Sequence, residues 1–350
     1  MTALAPCLAA PPAFAPVTPG RALVFPLDFG AHPDFRTEWW YVTGWLVDAK
    51  GKPLGFQLTF FRSATGVDAA NPSAFAPRQL IIGHAALSDP AIGKLVHAQQ
   101  SAREGFGLAY AKAGATDIKL DDWRMVRGAD GYTISVKSAQ LSLQLQLQTR
   151  QPPLPQGQGG YSRKGPKPEN ASYYYSEPQL AVRGSVVQAG AAPRQVSGSA
   201  WFDHEWSSAA LDPDAAGWDW VGANLDDGSA LMAFQIRDRR GAKLWAHATV
   251  RTPAGQIIQY GEQQVAFAPQ ASWRSPRTGV SYPVATLLTT GSTGWRIAPL
   301  QQDQELDARR STGALYWEGA VTLEGLGPTQ PAPHGRGYLE MTGYDRPMKL

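Results

Sequence analysis

The sequence predicts an all-β protein built as two tandem antiparallel barrels or sandwiches related by internal duplication. Three observations predict it. Several stretches alternate apolar and polar residues with period two. Gly- and Pro-rich turns part them at short, even intervals. The first half of the chain reappears in order in the second.

The repeat is worn but ordered. Trp39-Trp40-Tyr41-Val42 is echoed by Trp218-Asp219-Trp220-Val221, and Phe56-Gln57-Leu58 by Phe234-Gln235-Ile236. His84-Ala85 is echoed by His247-Ala248, Trp123-Arg124 by Trp273-Arg274, and Tyr132 by Tyr282. Gly198 through Asp203 is echoed by Gly335 through Glu340. The offset shrinks from 179 (218 minus 39) to 137 (335 minus 198), as expected if the second copy shed loop residues. At 350 residues the chain also exceeds the roughly 250–300 that one core usually serves. The organisation read from this is a lead over residues 1–20, a first unit over 21–207 and a second over 208–350.

The lead is rich in Ala and Pro and reads as disordered. Around Cys7, the single cysteine, it resembles the end of a secretory signal or a lipoprotein box, but the charged start and long apolar segment are missing. A shortened export signal and an ordinary terminus both fit. The first places the protein in the periplasm or outside the cell, with Cys7 as a candidate lipid anchor. From Glu38 the strands begin. Tyr41–Val47 and Leu54–Phe61 flank a Gly/Pro turn and read as a hairpin. Leu141–Gln148 alternates strictly, which puts its leucines on one face. Residues 151–170 form a Pro/Gly-rich excursion without periodicity, expected as a functional loop over a cleft. No helix longer than two turns is expected, and no apolar run reaches the roughly 18 residues of a membrane span. Thirty-two basic residues are spread among 29 acidic ones without a basic run, which argues against nucleic acid as a partner.

Several blocks together resemble the AttH and carotenoid 1,2-hydratase (hydroxyneurosporene synthase) family, in its bacterial predicted secreted hydrolase subgroup. They are Glu38-Trp39-Trp40-Tyr41 with Thr43-Gly44, Gly160-Tyr161-Ser162 with Lys164-Gly165, and Ala171 through Ser176. Asp203-His204-Glu205-Trp206, Trp218-Asp219-Trp220 and Gly337 through Tyr344 complete the set. The resemblance implies two lipocalin-like barrels and no cofactor. It implies an apolar ligand: a polyene, a terpenoid or a lipid. Members include hydratases, and some are encoded beside export ABC transporters, so a transporter partner is an expectation too.

Three functions are carried forward. The first is an acid/base hydratase or isomerase, the second a non-catalytic periplasmic lipid carrier, the third a serine-type hydrolase. For the first, Asp203-His204-Glu205-Trp206 is the densest titratable set, with Asp203 and Glu205 on one strand face and His204 and Trp206 on the other. A His beside a Trp in an apolar cavity can donate a proton near neutral pH, and aromatic faces can stabilise a cation. His204 paired with a carboxylate from Glu38, Asp219 or Asp203 is the expected catalytic group. Glu38 is expected to have a raised pKa if its strand face is internal. Trp39, Trp40, Tyr174, Glu205, Trp206, Trp218 and Trp220 are the expected ligand contacts. A metal site is not expected, because adjacent residues cannot turn to one ion and no second His/Cys cluster is visible. His84 and His247, kept in both copies, read as scaffold. Ser162 and Lys164 are a weak hydrolase pair, since Gly160-Tyr161-Ser162-Arg163-Lys164-Gly165 lacks the spacing of a nucleophile elbow.

Overall fold

The structure is a computed structural model, and it describes residues 14–68, 70–209, 211–327 and 333–348. Cys7 and the rest of residues 1–13 lie outside the described residues.

Two large antiparallel sheets account for the chain. In the first, β1 (Thr37–Asp48), β2 (Pro53–Ala64), β3 (Gln79–Asp89) and β4 (Lys94–Arg103) follow one another as neighbours. So do β5 (Ala109–Ala111), β6 (Asp117–Leu120), β7 (Trp123–Gly128), β8 (Gly131–Lys137) and β9 (Leu141–Gln148). After the short β10 (Leu154–Pro155) and β11 (Tyr161–Arg163), the long β12 (Ala171–Gln188) and β13 (Arg194–Ala209) join the two runs. The order is β4-β3-β2-β1-β13-β12-β9-β8-β7-β6-β5, with β10 and β11 on β12.

The second sheet holds β14 (Ala215–Leu225), β15 (Ala230–Asp238), β16 (Lys243–Arg251), β17 (Ile257–Tyr260), β18 (Val265–Arg274) and β19 (Ser281–Thr290). It continues with β20 (Thr293–Pro299), β21 (Glu305–Ala308), β22 (Ala314–Leu326) and β23 (His334–Met341). Its order, β17-β16-β15-β14-β23-β22-β20-β19-β18 with β21 on β22, repeats that of the first sheet from β4 through β7, while β5 and β6 have no counterpart. Each sheet curls on itself: β3 comes against β5 and β6, and β15 and β16 come against β18. These are two lipocalin-like barrels related by duplication.

Register sharpens the repeat. Tyr41 faces Asp203 across β1 and β13, and Trp220 faces Glu340 across β14 and β23. Thr59 and His84 pair in the first sheet where Phe234 and His247 pair in the second. The Phe56/Phe234 echo is therefore displaced by three residues: Tyr41 lies opposite Thr59 while Trp220 lies opposite Phe234.

Alternation builds the cores. Leu141, Leu143, Leu145 and Leu147 point into the first barrel beside Val42, Leu46 and Phe202. Val221, Ala223, Leu339 and Met341 do the same in the second. The opposite faces of β1 and β14 are also buried, because the barrels pack face to face through Tyr41, Trp45, Trp201, Trp220 and Tyr338. The contact is reciprocal: β1 packs on β23 as β14 packs on β13. Trp45 Nε1 donates to the Gly337 carbonyl at 2.9 Å, and at the equivalent place Asn224 Nδ2 donates to the Ala200 carbonyl at 3.1 Å.

Residues 14–20, expected within a disordered lead, instead lie along the first barrel. Val17 is buried, Ala15 bonds Asp34 and Ser208, and the Thr18 N–H donates to the Tyr173 hydroxyl. The 151–170 excursion crosses to the second barrel, where Gln259 bonds the Gly157 carbonyl and Arg163 sits over the Trp245 ring. Gly157 has φ +62°, and a Cβ there would lie 2.4 Å from the Tyr161 carbonyl oxygen, so only glycine makes this turn.

Candidate functional site: a cleft between the barrels

Even-numbered residues at the start of β1 face the first barrel's interior and odd-numbered ones face the second barrel. That parity divides the candidate residues into two groups.

The inward group is a closed polar network. Glu38 accepts from Arg62 Nε at 2.8 Å, His32 Nδ1 at 2.7 Å and His204 Nε2 at 2.8 Å. His32 Nε2 reaches Asp28 at 3.0 Å, and the Tyr175 hydroxyl reaches His204 Nδ1 at 3.1 Å. The His204 ring stacks on Trp40, and His32 stacks on Trp206 at 3.7 Å. His204 and Glu38 are fully buried. Burial favours neutral Glu38, but the hydrogen bonds from His204 and His32 outweigh it and hold the carboxyl well below the usual range. This corrects the expectation of a raised Glu38 pKa; the sequence hid its cationic neighbours. Burial lowers His204 to about 4, so its ring is neutral, donating to Glu38 and accepting from Tyr175. Burial also opposes charge on His32, yet its bonds to Asp28 and Glu38 prevail and raise its pKa.

A second histidine does therefore join His204, contrary to the sequence reading. His32, Glu38 and His204 bring donor atoms within 4.8 Å of one another, the one such group among the described residues. It does not fit a metal: all four ring nitrogens already have partners, and the Arg62 guanidinium supplies the positive charge at Glu38.

The outward group lines a cleft of about 330 Å³ between the barrels, within the size range of small-molecule sites. Trp39, Tyr41, Tyr174, Trp218, Trp220 and Phe234 give it aromatic walls. Asp203, Glu205, Glu340 and Lys164 give it charge-bearing groups. Asp203 accepts from Tyr174 at 2.8 Å, Ser176 at 2.5 Å and Trp201 Nε1 at 2.7 Å. Among the described residues Glu340 accepts only from Trp218 Nε1, at 2.9 Å. Burial pushes Asp203 up to about 7 against its three donors. Burial also pushes Glu340 up to about 7, and the nearby Glu205 carboxylate adds to the rise. Lys164 pairs with Glu205 at 3.0 Å and lies over the Tyr174 and Phe234 rings.

Of the expected site residues, Trp39, Tyr174, Asp203, Glu205, Trp218 and Trp220 line the cleft. His204, Trp40 and Trp206 do not; they belong to the first barrel's core, since both faces of this strand are buried and alternation alone cannot rank them. Glu38 borders the cleft but turns its carboxylate into the network. Asp219 is remote from both. It lies in the second barrel, bonded to Arg237, Gln235 and Tyr344. Ser162 is buried with its hydroxyl unpartnered and does not line the cleft.

His84, read as scaffold, lines the opposite wall. It ties the barrels together: the Tyr316 hydroxyl donates to Nδ1 at 2.6 Å, and Nε2 lies 2.8 Å from Ser311 Oγ. Burial lowers its pKa to about 3. The folded state therefore keeps His84 neutral, a contribution complete above the unfolded pKa of about 6.5 and lost as pH falls towards 3. His84→Gln is expected to cost more stability at neutral pH than near pH 4. Urea denaturation at both values checks this, and equal costs contradict it.

Residues 16–344 match the family described as AttH-like. The chain belongs to the AttH-like family. An AttH-assigned protein from Nitrosomonas europaea is 57% identical, covering 95% of this chain and 100% of that one, with a TM-score of 0.87. The AttH-like chain also shares its fold with kievitone hydratase from Nectria haematococca, at 12% identity and a TM-score of 0.72, covering 96% and 97% of the two chains. The fold extends to CghA in complex with Sch210972, at 11% identity and a TM-score of 0.55, covering 87% and 88%. No curated protein sequence matches the chain.

Proposed function

We propose that this AttH-like protein binds an apolar, unsaturated small molecule between its barrels and adds water to, or shifts, a double bond by acid/base chemistry. One observation carries the reading: Asp203 and Glu340, from matching strands of the two barrels, share an aromatic cleft with both pKa values raised to about 7. Hydration of an alkene begins with a proton delivered to carbon. A carboxyl group tuned near neutrality can donate it. The cation that forms is stabilised by facing Trp and Tyr rings, by up to about 2 kcal/mol when desolvated. Water then captures the cation, and a carboxylate takes its proton. Glu340, with a single hydrogen-bond donor, serves as the acid. Asp203, whose anion three donors stabilise, serves as the base. The shared fold with a protein named as a hydratase supports the reading.

The hydrolase reading loses support, because Lys164 is engaged by Glu205 and Ser162 lies outside the cleft. Incubation with a panel of terpenoid and polyene alkenes tests the proposal. A product heavier by one water, formed with a bell-shaped pH dependence centred near 7, is expected. Binding without turnover across the panel refutes catalysis and leaves the lipid carrier.

A further inference from the structure

The second barrel has a cavity of its own. It measures about 330 Å³, within the size range of small-molecule sites, and no residue lines both it and the cleft. Strand alternation separates the two. Trp218, Trp220, Phe234 and Glu340 line the cleft, whereas their neighbours Asp219, Gln235, Leu339 and Met341 line the cavity. Exposed Pro269, Ser272 and Ser281 stand at its mouth.

Register explains why this barrel is hollow where the first is filled. Asp219 and Gln235 stand opposite each other at the place where the first barrel pairs Trp40 with Phe60. Gly343 falls three residues beyond Glu340, as Trp206 falls three beyond Asp203. Trp40, Phe60 and Trp206 are packed in the first barrel's core. Three large rings of one barrel thus correspond to Asp, Gln and Gly in the other. Arg237 is the counterpart of Arg62, but the counterpart of Glu38 is Gly217, and Arg237 pairs with Asp219 instead. Interiors are close-packed, so a void of this size lined by ordered polar groups points to a ligand.

The polar groups form one cluster. Asp219 accepts from Gln235 Nε2 at 2.7 Å, Arg237 Nε at 2.9 Å and the Tyr344 hydroxyl at 2.9 Å. Asp219, Gln235 and Arg237 are 4%, 9% and 7% exposed. The carboxylate only accepts, which fixes the orientation of the Gln235 amide. Arg237 Nη2 donates to the Thr342 carbonyl. Two atoms are left over. Arg237 Nη1, a donor, and Gln235 Oε1, an acceptor, have no hydrogen-bond partner among the described residues, and neither is sealed from solvent. Both side chains are held on the same oxygen, Asp219 Oδ2, so the spare donor and acceptor share one neighbourhood. The ion pair leaves no unmatched charge for a charged head group. Phe267, Pro283, Leu339 and Met341 supply apolar walls.

We propose that the interior of the second barrel is a separate binding site for a small apolar carboxamide. The amide carbonyl accepts from Arg237 Nη1, and its N–H donates to Gln235 Oε1. The site needs no turnover and does not rest on the chemistry of the cleft.

Three probes with one alkyl chain test the head group: octanamide, octanoate and octylamine. They are titrated into the full chain by calorimetry near pH 7, where the last two are ionised. Octanamide is expected to bind at least about tenfold more tightly than either charged analogue, whose head would be desolvated without a free counter-charge. Gln235→Leu removes the acceptor while Arg237 and Tyr344 still hold Asp219, and it should erase most of that preference. A bromine-tagged octanamide locates the site in crystals of the native protein, so the result does not depend on a variant folding. An anomalous bromine peak inside the second barrel is expected. No binding of octanamide, equal binding of the three probes, an unchanged preference in Gln235→Leu, or a bromine peak confined to the cleft each overturns the proposal. None of these results bears on whether the cleft is catalytic.

Discussion

Glu38→Leu is expected to lose about 3–5 kcal/mol of stability, the range for leaving a buried charge without its partner. Glu38 is the common acceptor for Arg62, His32 and His204. Removing it strands an arginine that is 2% exposed beside a histidine whose positive form the network favours. The Glu38→Leu/Arg62→Met double variant should cost less than the single one, because the orphaned guanidinium goes too. The pH dependence has a definite sign. The folded pKa of Glu38 lies below its unfolded value, so its contribution is complete above about pH 4.5 and is lost as pH falls below that. The acid limb of the stability curve should therefore be shallower in Glu38→Leu. Urea denaturation across pH measures both effects. A single variant within about 1 kcal/mol of the native protein would falsify the account of the network.

Glu340→Gln and Asp203→Asn should each lower turnover by about 10²–10⁴, the usual worth of a positioned acid or base, while ligand affinity holds. A loss of affinity in step with the loss of rate would make them binding groups instead. Stability gives a second, independent readout. An acid whose folded pKa is raised contributes stability that is complete below its unfolded pKa, near 4.5, and is lost as pH rises through about 7. Glu340→Gln should therefore be more stable than the native protein at pH 8 and show no gain at pH 4. A gain in stability coupled to a loss of activity is the mark of a group kept for function at a cost to the fold.

The fold was legible because its signals are local. Period-two alternation marked the Leu141–Gln148 strand, and matched Trp, His and Gly positions exposed the repeat. The parity of Asp203 and Glu205 against His204 and Trp206 was legible too. Which parity faced the cleft between the barrels was not. Both faces of β13 are buried, one by its own barrel and one by the other, so hydrophobicity is equally satisfied either way. Arg62 could have been found by counting back from the Pro53 turn, since hairpin register sets it opposite Glu38. His32 could not, because it precedes the strands and reaches Glu38 through a loop. Glu340 is visible in the sequence as the second copy's counterpart of Asp203.

The reciprocal contact between the barrels has an evolutionary consequence. Equivalent surfaces meet, down to the paired donations of Trp45 to Gly337 and Asn224 to Ala200, as at the two-fold axis of a homodimer. Before the gene doubled, a single-barrel ancestor would have made this contact with a second copy of itself. Asp203 and Glu340 would then have been one residue seen twice, unable to differ in proton affinity or in task. Fusion into one chain removed that constraint. It allowed the first half alone to supply Lys164, which reaches rings of both barrels. Under the proposed chemistry an acid and a base can differ because the two halves of one chain are free to diverge.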